Sequence, residues 1–151
     1  MKRHHALYPL SHDHRQGLIL AQLLKKGAPH YKGMPSTLNG KKAYAISFYN
    51  SELIKHFNDE EKSLFPFVEG KNQEIDKLIS ELIPEHRKIE LCVKNLEDSP
   101  DLEDLLDELG NLLEKHIRRE ERQLFVQIEE ILEEKELSSI AEKLSRSGIE
   151  N

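Results

Sequence analysis

The sequence predicts an all-α protein, most simply an antiparallel up-down four-helix bundle with a short C-terminal helix. Four long segments carry apolar residues at helical spacing, glycines and prolines separate them, and no strand-like alternation of any length occurs. Hydrophobic residues make up 37% of the chain and charged residues 33%, which suits helices with one apolar and one solvated face. The 151 residues predict a single domain, with the bundle over about residues 7–134 and an appendage over about 135–151.

The first predicted helix spans about residues 12–26, with Ser11 as its N-cap. Apolar residues recur there at helical spacing, as Leu18, Ala21 and Leu24. Three of the seven glycines and two of the six prolines then fall within residues 27–40. This composition predicts a loop, which would be either a lid over a site or a plain connection across the end of a bundle.

The second predicted helix spans about residues 41–65 and is interrupted by Pro66 and Gly70. The third spans about residues 73–95, and Pro84 within it predicts a kink rather than an end.

The fourth predicted helix starts near Pro100, whose fixed φ angle suits a first helical turn, and extends to about Glu134. A short amphipathic helix is expected over about residues 137–144.

Charge and composition exclude several classes of partner. The chain has 28 acidic and 22 basic residues, for a net charge of -6, which argues against broad electrostatic binding to nucleic acid. No apolar run is long enough for a membrane span, and the first residues lack the apolar stretch of a signal peptide. Cys92 is the one cysteine, which excludes an intrachain disulfide and favours a cytoplasmic location.

The chain contains an internal repeat that carries four of its eight histidines. Residues 10–15 (LSHDHR) and 82–87 (LIPEHR) both read Leu, two residues, an acid, His, Arg. Residues 56–65 (HFNDEEKSLF) and 116–125 (HIRREERQLF) both read His, three residues, Glu-Glu, two residues, Leu-Phe. The repeat predicts two helical hairpins, each with a lone histidine on one helix and a His-x3-Glu pair on the next.

The spacing places histidines and glutamates together on core faces. Residues four apart on a helix lie on the same face, and leucines and other apolar residues flank each pair. The lone histidines also lie in line with leucines one turn away. The side chains expected to converge in the interior are His14, His56, Glu60, His86, His116 and Glu120.

This convergence predicts a metal centre. A single buried histidine or a single His-x3-Glu pair is more often structural, but the duplicated set leaves buried carboxylates that a cation would neutralise. Imidazole and carboxylate without thiolate suit iron, manganese or zinc, and six ligands exceed what one tetrahedral zinc takes. We therefore expect two ions, with iron as the natural occupant and zinc or manganese as other possibilities.

The doubled signature resembles the hemerythrin-like domain, also called the HHE cation-binding domain, over about residues 7–134. The resemblance implies an oxo- or hydroxo-bridged non-haem di-iron centre inside an antiparallel four-helix bundle. The implied ligands are His14 and His56 for one iron, His86 and His116 for the other, and Glu60 and Glu120 as bridging carboxylates.

The sequence does not decide whether two further residues, Glu90 and His12, bind metal. Oxygen-carrying members of the family place a second histidine one turn after the third-helix histidine, where this chain has Glu90. Glu90 is either a seventh ligand or a solvated or supporting group that leaves a coordination position free. His12 is the alternative to His14 as a ligand, although the repeat favours His14 because Pro84 aligns with His12.

Three classes of function follow. The first is a protein that binds or senses O2, NO or iron, or protects against oxidative or nitrosative stress. The second is a di-iron redox enzyme, such as a peroxidase, an oxidase or an iron-centre repair protein. The ferritin type is disfavoured, because its Glu-x-x-His pair is not matched in two helices here. The third, a metal-free helical interaction module, leaves the paired glutamates unexplained.

Overall fold

The computed structural model describes residues 2–150, with side chains described up to Arg146. The described chain is helical apart from its loops and contains no strand. Its helices are α1 (Tyr8–Leu24), α2 (Leu38–Phe48), α3 (Ile54–Asp59), α4 (Phe65–Val68), α5 (Gln73–Asn95), α6 (Leu102–Arg119), α7 (Phe125–Ile131) and α8 (Glu134–Glu150). None of these described helices is long and apolar enough to cross a membrane.

Three π-helical segments join the shorter helices into two long runs. Tyr49–Leu53 and Glu60–Leu64 connect α2, α3 and α4 into run 38–68, and Glu120–Leu124 connects α6 and α7 into run 102–131. The joining residues keep right-handed helical dihedrals, so the backbone stays helical throughout. A π turn holds one more residue than an α turn and is frequent at functional sites. Both His-x3-Glu-Glu motifs run into such a segment, which begins at the first glutamate in each.

The start of α1 differs from the prediction. The helix begins at Tyr8 rather than near residue 12, and Pro9 occupies its first turn. Ser11 is not an N-cap; it is buried inside the helix, and its hydroxyl donates a hydrogen bond of 2.8 Å to Glu121 Oε2. The hydroxyl that the sequence alone assigned to a helix cap is instead bound to a partly buried carboxylate of another helical segment.

The later boundaries agree with the sequence more closely. The bounds of α5 match the predicted third helix, and Pro84 lies within it. Pro66 was expected to interrupt the second helix, but it falls in the first turn of α4, where proline is tolerated, and the run continues to Val68. The fourth predicted helix ends at Ile131, because Leu132 is extended. The C-terminal helix is longer than the predicted 137–144 and begins at Glu134.

Two apolar clusters fill the interior on either side of a polar layer. The α8 core is formed by residues including Leu7, Leu10, Leu64, Phe65, Leu82, Leu124, Phe125, Leu137, Ile140 and Leu144. The loop core, on the side of the 25–37 loop, is formed by residues including Leu20, Leu24, Leu53, Phe57, Ile89, Val93, Leu109, Leu113 and Ile117. Four helical elements contribute residues to both cores: α1, run 38–68, α5 and run 102–131. The predicted site residues lie along these four elements, between the residues that form the α8 core and those that form the loop core. Helix α8 packs against the α8 core through Leu137, Ile140 and Leu144.

Gly110 permits the close approach of α6 to α1. A Cβ at this position would lie 2.7 Å from the backbone oxygen of Ala21, whereas a Cβ at Gly17 would meet only the tip of the Ile117 side chain, at the same distance. We expect Gly110→Ala to lower the free energy of unfolding by about 1–3 kcal/mol, because backbone cannot move aside as a side-chain tip can. Gly17→Ala should stay within about 1 kcal/mol of wild type, since the gain in helix propensity offsets the shift of Ile117. Urea unfolding followed by circular dichroism measures both, and equal losses would contradict this account of the helix contact.

Candidate metal centre

Six polar side chains are buried together between the two cores. They are His14, His56, Glu60, His86, His116 and Glu120. Glu60, His86 and Glu120 are fully buried, and none of the six is more than 3% exposed. Charged residues are almost never buried to this degree unless they are paired. These are the side chains that the repeat predicted to converge.

The six side chains form two overlapping groups. One group contains His14, His56, Glu60 and Glu120, and the other contains Glu60, His86, His116 and Glu120. Within each group one ligand atom from every residue lies within 4.8 Å of the others. The two glutamates belong to both groups, so the arrangement can hold two cations with the carboxylates between them.

The Nε2 atom of every imidazole in the centre faces one of the two shared carboxylates. The distances are 2.8 Å from His14 to Glu120 Oε1, 3.4 Å from His116 to Glu120 Oε2, 3.0 Å from His86 to Glu60 Oε1 and 3.4 Å from His56 to Glu60 Oε2. Each glutamate thus contacts the histidine of its own His-x3-Glu pair and a lone histidine from another helix. The internal repeat of the sequence reappears as an approximate two-fold arrangement of the site.

Most of these inward atoms have no hydrogen-bond partner among the described residues. They are the Nε2 atoms of His56, His86 and His116, both carboxylate oxygens of Glu60, and Oε2 of Glu120. Unsatisfied buried groups of this kind carry the full desolvation cost. Metal cations would satisfy all of them, and the mixed nitrogen and oxygen donors without sulfur suit iron, manganese or zinc. The residues therefore fit a two-metal centre.

The other ring nitrogen of each histidine is held by a second carboxylate. Nδ1 of His14 lies 2.5 Å from Glu121, Nδ1 of His56 lies 3.0 Å from Asp13, Nδ1 of His86 lies 2.7 Å from Glu61, and Nδ1 of His116 lies 2.7 Å from Glu85. Metal-binding histidines commonly make such a bond through their remaining nitrogen, which orients the ring and raises its basicity. All four Nε2 atoms are thereby directed inward.

The sequence placed none of these four carboxylates among the ligands, and it indicated only that Glu61 and Glu121 would be solvated or supporting groups, although the repeat contained the signal for all four. Asp13 and Glu85 are the acids that immediately precede the lone histidines, and Glu61 and Glu121 are the second glutamates of the Glu-Glu pairs. Each stands one position from a predicted ligand and therefore points to a neighbouring helix rather than to the centre. Their role depends on contacts between helices, which spacing within one helix does not reveal.

Arginines bind three of these four supporting carboxylates. Arg119 donates to Glu85 at 2.9 Å, Arg3 approaches Glu121 at 3.3 Å, and Arg87 donates to Glu61. Asp13 differs, because within residues 2–150 no lysine or arginine forms an ion pair with it, and its side chain is 37% exposed. The approximate symmetry of the centre is broken at this one carboxylate.

Burial and charge act in opposite directions on the buried groups. Burial lowers the pKa of His116, but the negative charge of Glu120, at 3.4 Å, and the hydrogen bond with Glu85 outweigh burial and raise that pKa to about 10. Burial raises the pKa of Glu120, but the nearby imidazoles outweigh it and hold the pKa well below its usual value. The pKa values of His14 and His56 are raised in the same manner, despite burial, by their carboxylate partners. The raised pKa values of His14, His56 and His116 favour protons on these imidazoles in the metal-free protein, and such protons supply positive charge beside the two carboxylates.

Glu90 and His12, the two residues whose role the sequence left undecided, lie outside both groups. Glu90 is 32% exposed, and its carboxylate pairs with Lys94 at 3.1 Å and with Arg87 at 3.5 Å, which lowers its pKa. His12 is exposed and lines a surface cavity rather than the centre. The structure brings His14, not His12, to the shared carboxylates.

A family model described as the hemerythrin HHE cation binding domain matches residues 5–128 of the chain. The match covers all six buried side chains. No curated protein and no solved structure matches the chain significantly.

Proposed function

Because the chain belongs to the hemerythrin HHE cation-binding family, we propose that it is a di-iron protein that binds O2 or NO. Its work would be gas or iron sensing, or protection against oxidative or nitrosative stress. The observation that carries the proposal is the pair of buried groups sharing Glu60 and Glu120. Since Cys92 is a free thiol, we place this activity in the reducing cytoplasm.

The proposed ligands follow the two groups. His14 and His56 would hold one ion, His86 and His116 would hold the other, and Glu60 and Glu120 would serve both. The family's antiparallel up-down four-helix bundle is part of the proposal, with α1, run 38–68, α5 and run 102–131 as its helices. Glu90 is left out, because Lys94 and Arg87 hold its carboxylate away from the centre.

The buried environment favours binding of a small neutral gas. When bound by these residues, a pair of ferrous ions would supply electrons for the binding of a diatomic molecule. The two shared carboxylates offset part of the cationic charge, and the carboxylate held to each Nδ1 keeps each imidazole in place. The α8 core and the loop core exclude water from either side, which limits hydrolysis and side reactions. Each group would offer two imidazoles and two shared carboxylates to its ion, and metals that take more than four ligands would then accept an external one.

Anaerobic titration with Fe²⁺ tests the proposal, and His12 provides a matched control for His14. Wild type and His12→Ala should bind two ferrous ions per chain, because His12 lies outside the centre. His14→Ala should lose high-affinity binding at one position, since that position would keep a single imidazole. Bound iron is measured by elemental analysis after gel filtration without air.

Less than one iron per chain in the wild-type protein would contradict the proposal. Loss of iron in His12→Ala with full binding in His14→Ala would contradict the ligand assignment. Exposure of the loaded protein to NO should change its visible spectrum, and an unchanged spectrum would contradict gas binding at the centre.

A further inference from the structure

The two seams that the internal repeat makes equivalent differ in how open they are. The first seam lies between α1 and run 38–68, beside the Asp13–His56 hydrogen bond, and it contains a cavity of about 430 Å³. The second seam lies between α5 and α6, beside the Glu85–His116 hydrogen bond, and its cavity is about 70 Å³. The first-seam cavity is therefore about six times larger. It reaches Asp13 but none of the six buried side chains, whereas His116 itself lines the second-seam cavity.

Two substitutions within the repeat account for this difference. Leu112 lines the small cavity of the second seam, and the equivalent position of the first seam is Glu52, a side chain that lines the large cavity. Arg119 binds Glu85 across the second seam, and the equivalent position of the first seam is Asp59. A carboxylate has no N–H group to donate to another acid, and Asp59 pairs with Lys55 at 2.8 Å. The first seam thus lacks both the apolar side chain and the arginine that close the second.

The backbone differs at the same place. The π-helical segment Tyr49–Leu53 includes Ser51 and Glu52, both of which line the large cavity. The equivalent residues 109–113 lie in α6, which is a regular α-helix. π segments widen a helix locally and occur frequently at functional sites. The widened turn contributes two of the residues that border the first seam.

The size and lining of the first-seam cavity suit a hydrated cation. Of the eight side chains around it, all but Phe48 carry an oxygen or nitrogen atom; the eight are those of His12, Asp13, Gln16, Tyr44, Ser47, Phe48, Ser51 and Glu52. The first-seam cavity, at about 430 Å³, has room for several water molecules, whereas the second-seam cavity, at about 70 Å³, has room for far fewer.

We infer that the first seam is the route by which divalent metal ions reach the centre, and that the His14–His56 position is filled through it. The inference rests on the proposed two-metal function and adds the direction of access. Asp13 forms the inner wall of the cavity, and its Oδ2 lies 3.0 Å from Nδ1 of His56. Breaking this hydrogen bond would expose His56 to the cavity, and no arginine among the described side chains restrains Asp13. On the other side, Arg119 holds Glu85 in place, and Leu112 borders a much smaller cavity.

Uptake of Co²⁺ by the metal-free protein, followed by its visible absorption in a stopped-flow instrument, tests the route. Ser51→Trp fills the first seam from an exposed helical position, and Asn111→Trp places the same side chain at the equivalent exposed position of the other half. We expect Ser51→Trp to slow uptake at least about tenfold, because binding must then wait for a conformational opening. Asn111→Trp should stay within about twofold of wild type, since it leaves the first seam unchanged. Both variants should still bind two ions per chain.

Glu52→Leu is a second test of the route, which remains informative if Ser51→Trp fails to fold. Glu52→Leu introduces the residue that occupies position 112 in the closed seam, and it should slow uptake in the same direction. Equal uptake rates in wild type, Ser51→Trp and Glu52→Leu, with two ions bound in each, would overturn the route while leaving the two-metal function intact. Slower uptake in Asn111→Trp than in Ser51→Trp would also overturn it. A wild-type protein that binds less than one ion would instead overturn the proposed function itself.

Discussion

A Glu120→Ala variant should lose both metal ions rather than one. Glu120 belongs to both buried groups and contacts histidines on two different helices. We expect its removal to weaken metal binding by more than about 100-fold at both positions, because loss of a residue that merely supports a ligand already costs about 10–100-fold. Titration of the variant with Fe²⁺ without air, read as iron per chain, measures the effect.

Glu130→Ala is the matched control, since Glu130 is an exposed glutamate on the same helical run. It should bind two ions with wild-type affinity. Glu60→Ala should reproduce the defect of Glu120→Ala, because the two-fold arrangement gives Glu60 the same two contacts with histidines. A variant at either glutamate that keeps one tightly bound ion would show that the carboxylates are not shared.

Iron loading should raise the thermal stability of the protein substantially. A ligand that binds only the folded state stabilises it by about 4 kcal/mol for each site when its free concentration is a thousandfold above the dissociation constant. For a chain of this size, each kcal/mol shifts the melting temperature by roughly 2–4 °C. We therefore expect an increase of roughly 8–16 °C from one filled position and a larger one from two, measured by anaerobic calorimetry.

The same experiment separates the metal centre from a metal-free interaction module. Glu120→Ala should show no increase with iron, while Glu130→Ala should match the wild-type increase. A wild-type melting temperature that does not move at saturating Fe²⁺ would support the metal-free module. Comparison with Zn²⁺ and Mn²⁺ at equal free concentration then shows which metal the centre prefers.

Much of this architecture follows from periodicity and repetition alone. The bounds of α5 agree with the apolar spacing of residues 73–95, and the duplicated motifs identify the six buried side chains before any contact is known. Both features are local, because residues four apart share a helix face in any fold. The sequence could therefore predict which residues point inward.

Contacts between helices could not be predicted in the same way. Ser11 has the chemistry of an N-cap, yet its hydroxyl donates to Glu121 on another helix. Asp13 and Glu85 read as ordinary acids beside histidines until the fold shows that each supports a histidine of a different helix. The π segments also escape prediction, since α and π turns accept the same residue types and differ in the register of their hydrogen bonds.

Glu90 shows the limit of spacing as a guide to ligands. It stands one turn after His86, as a further ligand would, but Lys94 and Arg87 compete for its carboxylate on the solvent side. Spacing along a helix gives only the position of each Cα atom on the helix surface. The direction of a long, flexible side chain depends on which charged neighbours it meets.

The most direct test is a crystal structure of the iron-loaded protein with anomalous diffraction recorded on both sides of the iron absorption edge. Two anomalous peaks are expected, one among His14, His56, Glu60 and Glu120, and the other among Glu60, His86, His116 and Glu120. A single peak, or peaks at His12 or Glu90 instead, would contradict a two-metal centre built on shared glutamates.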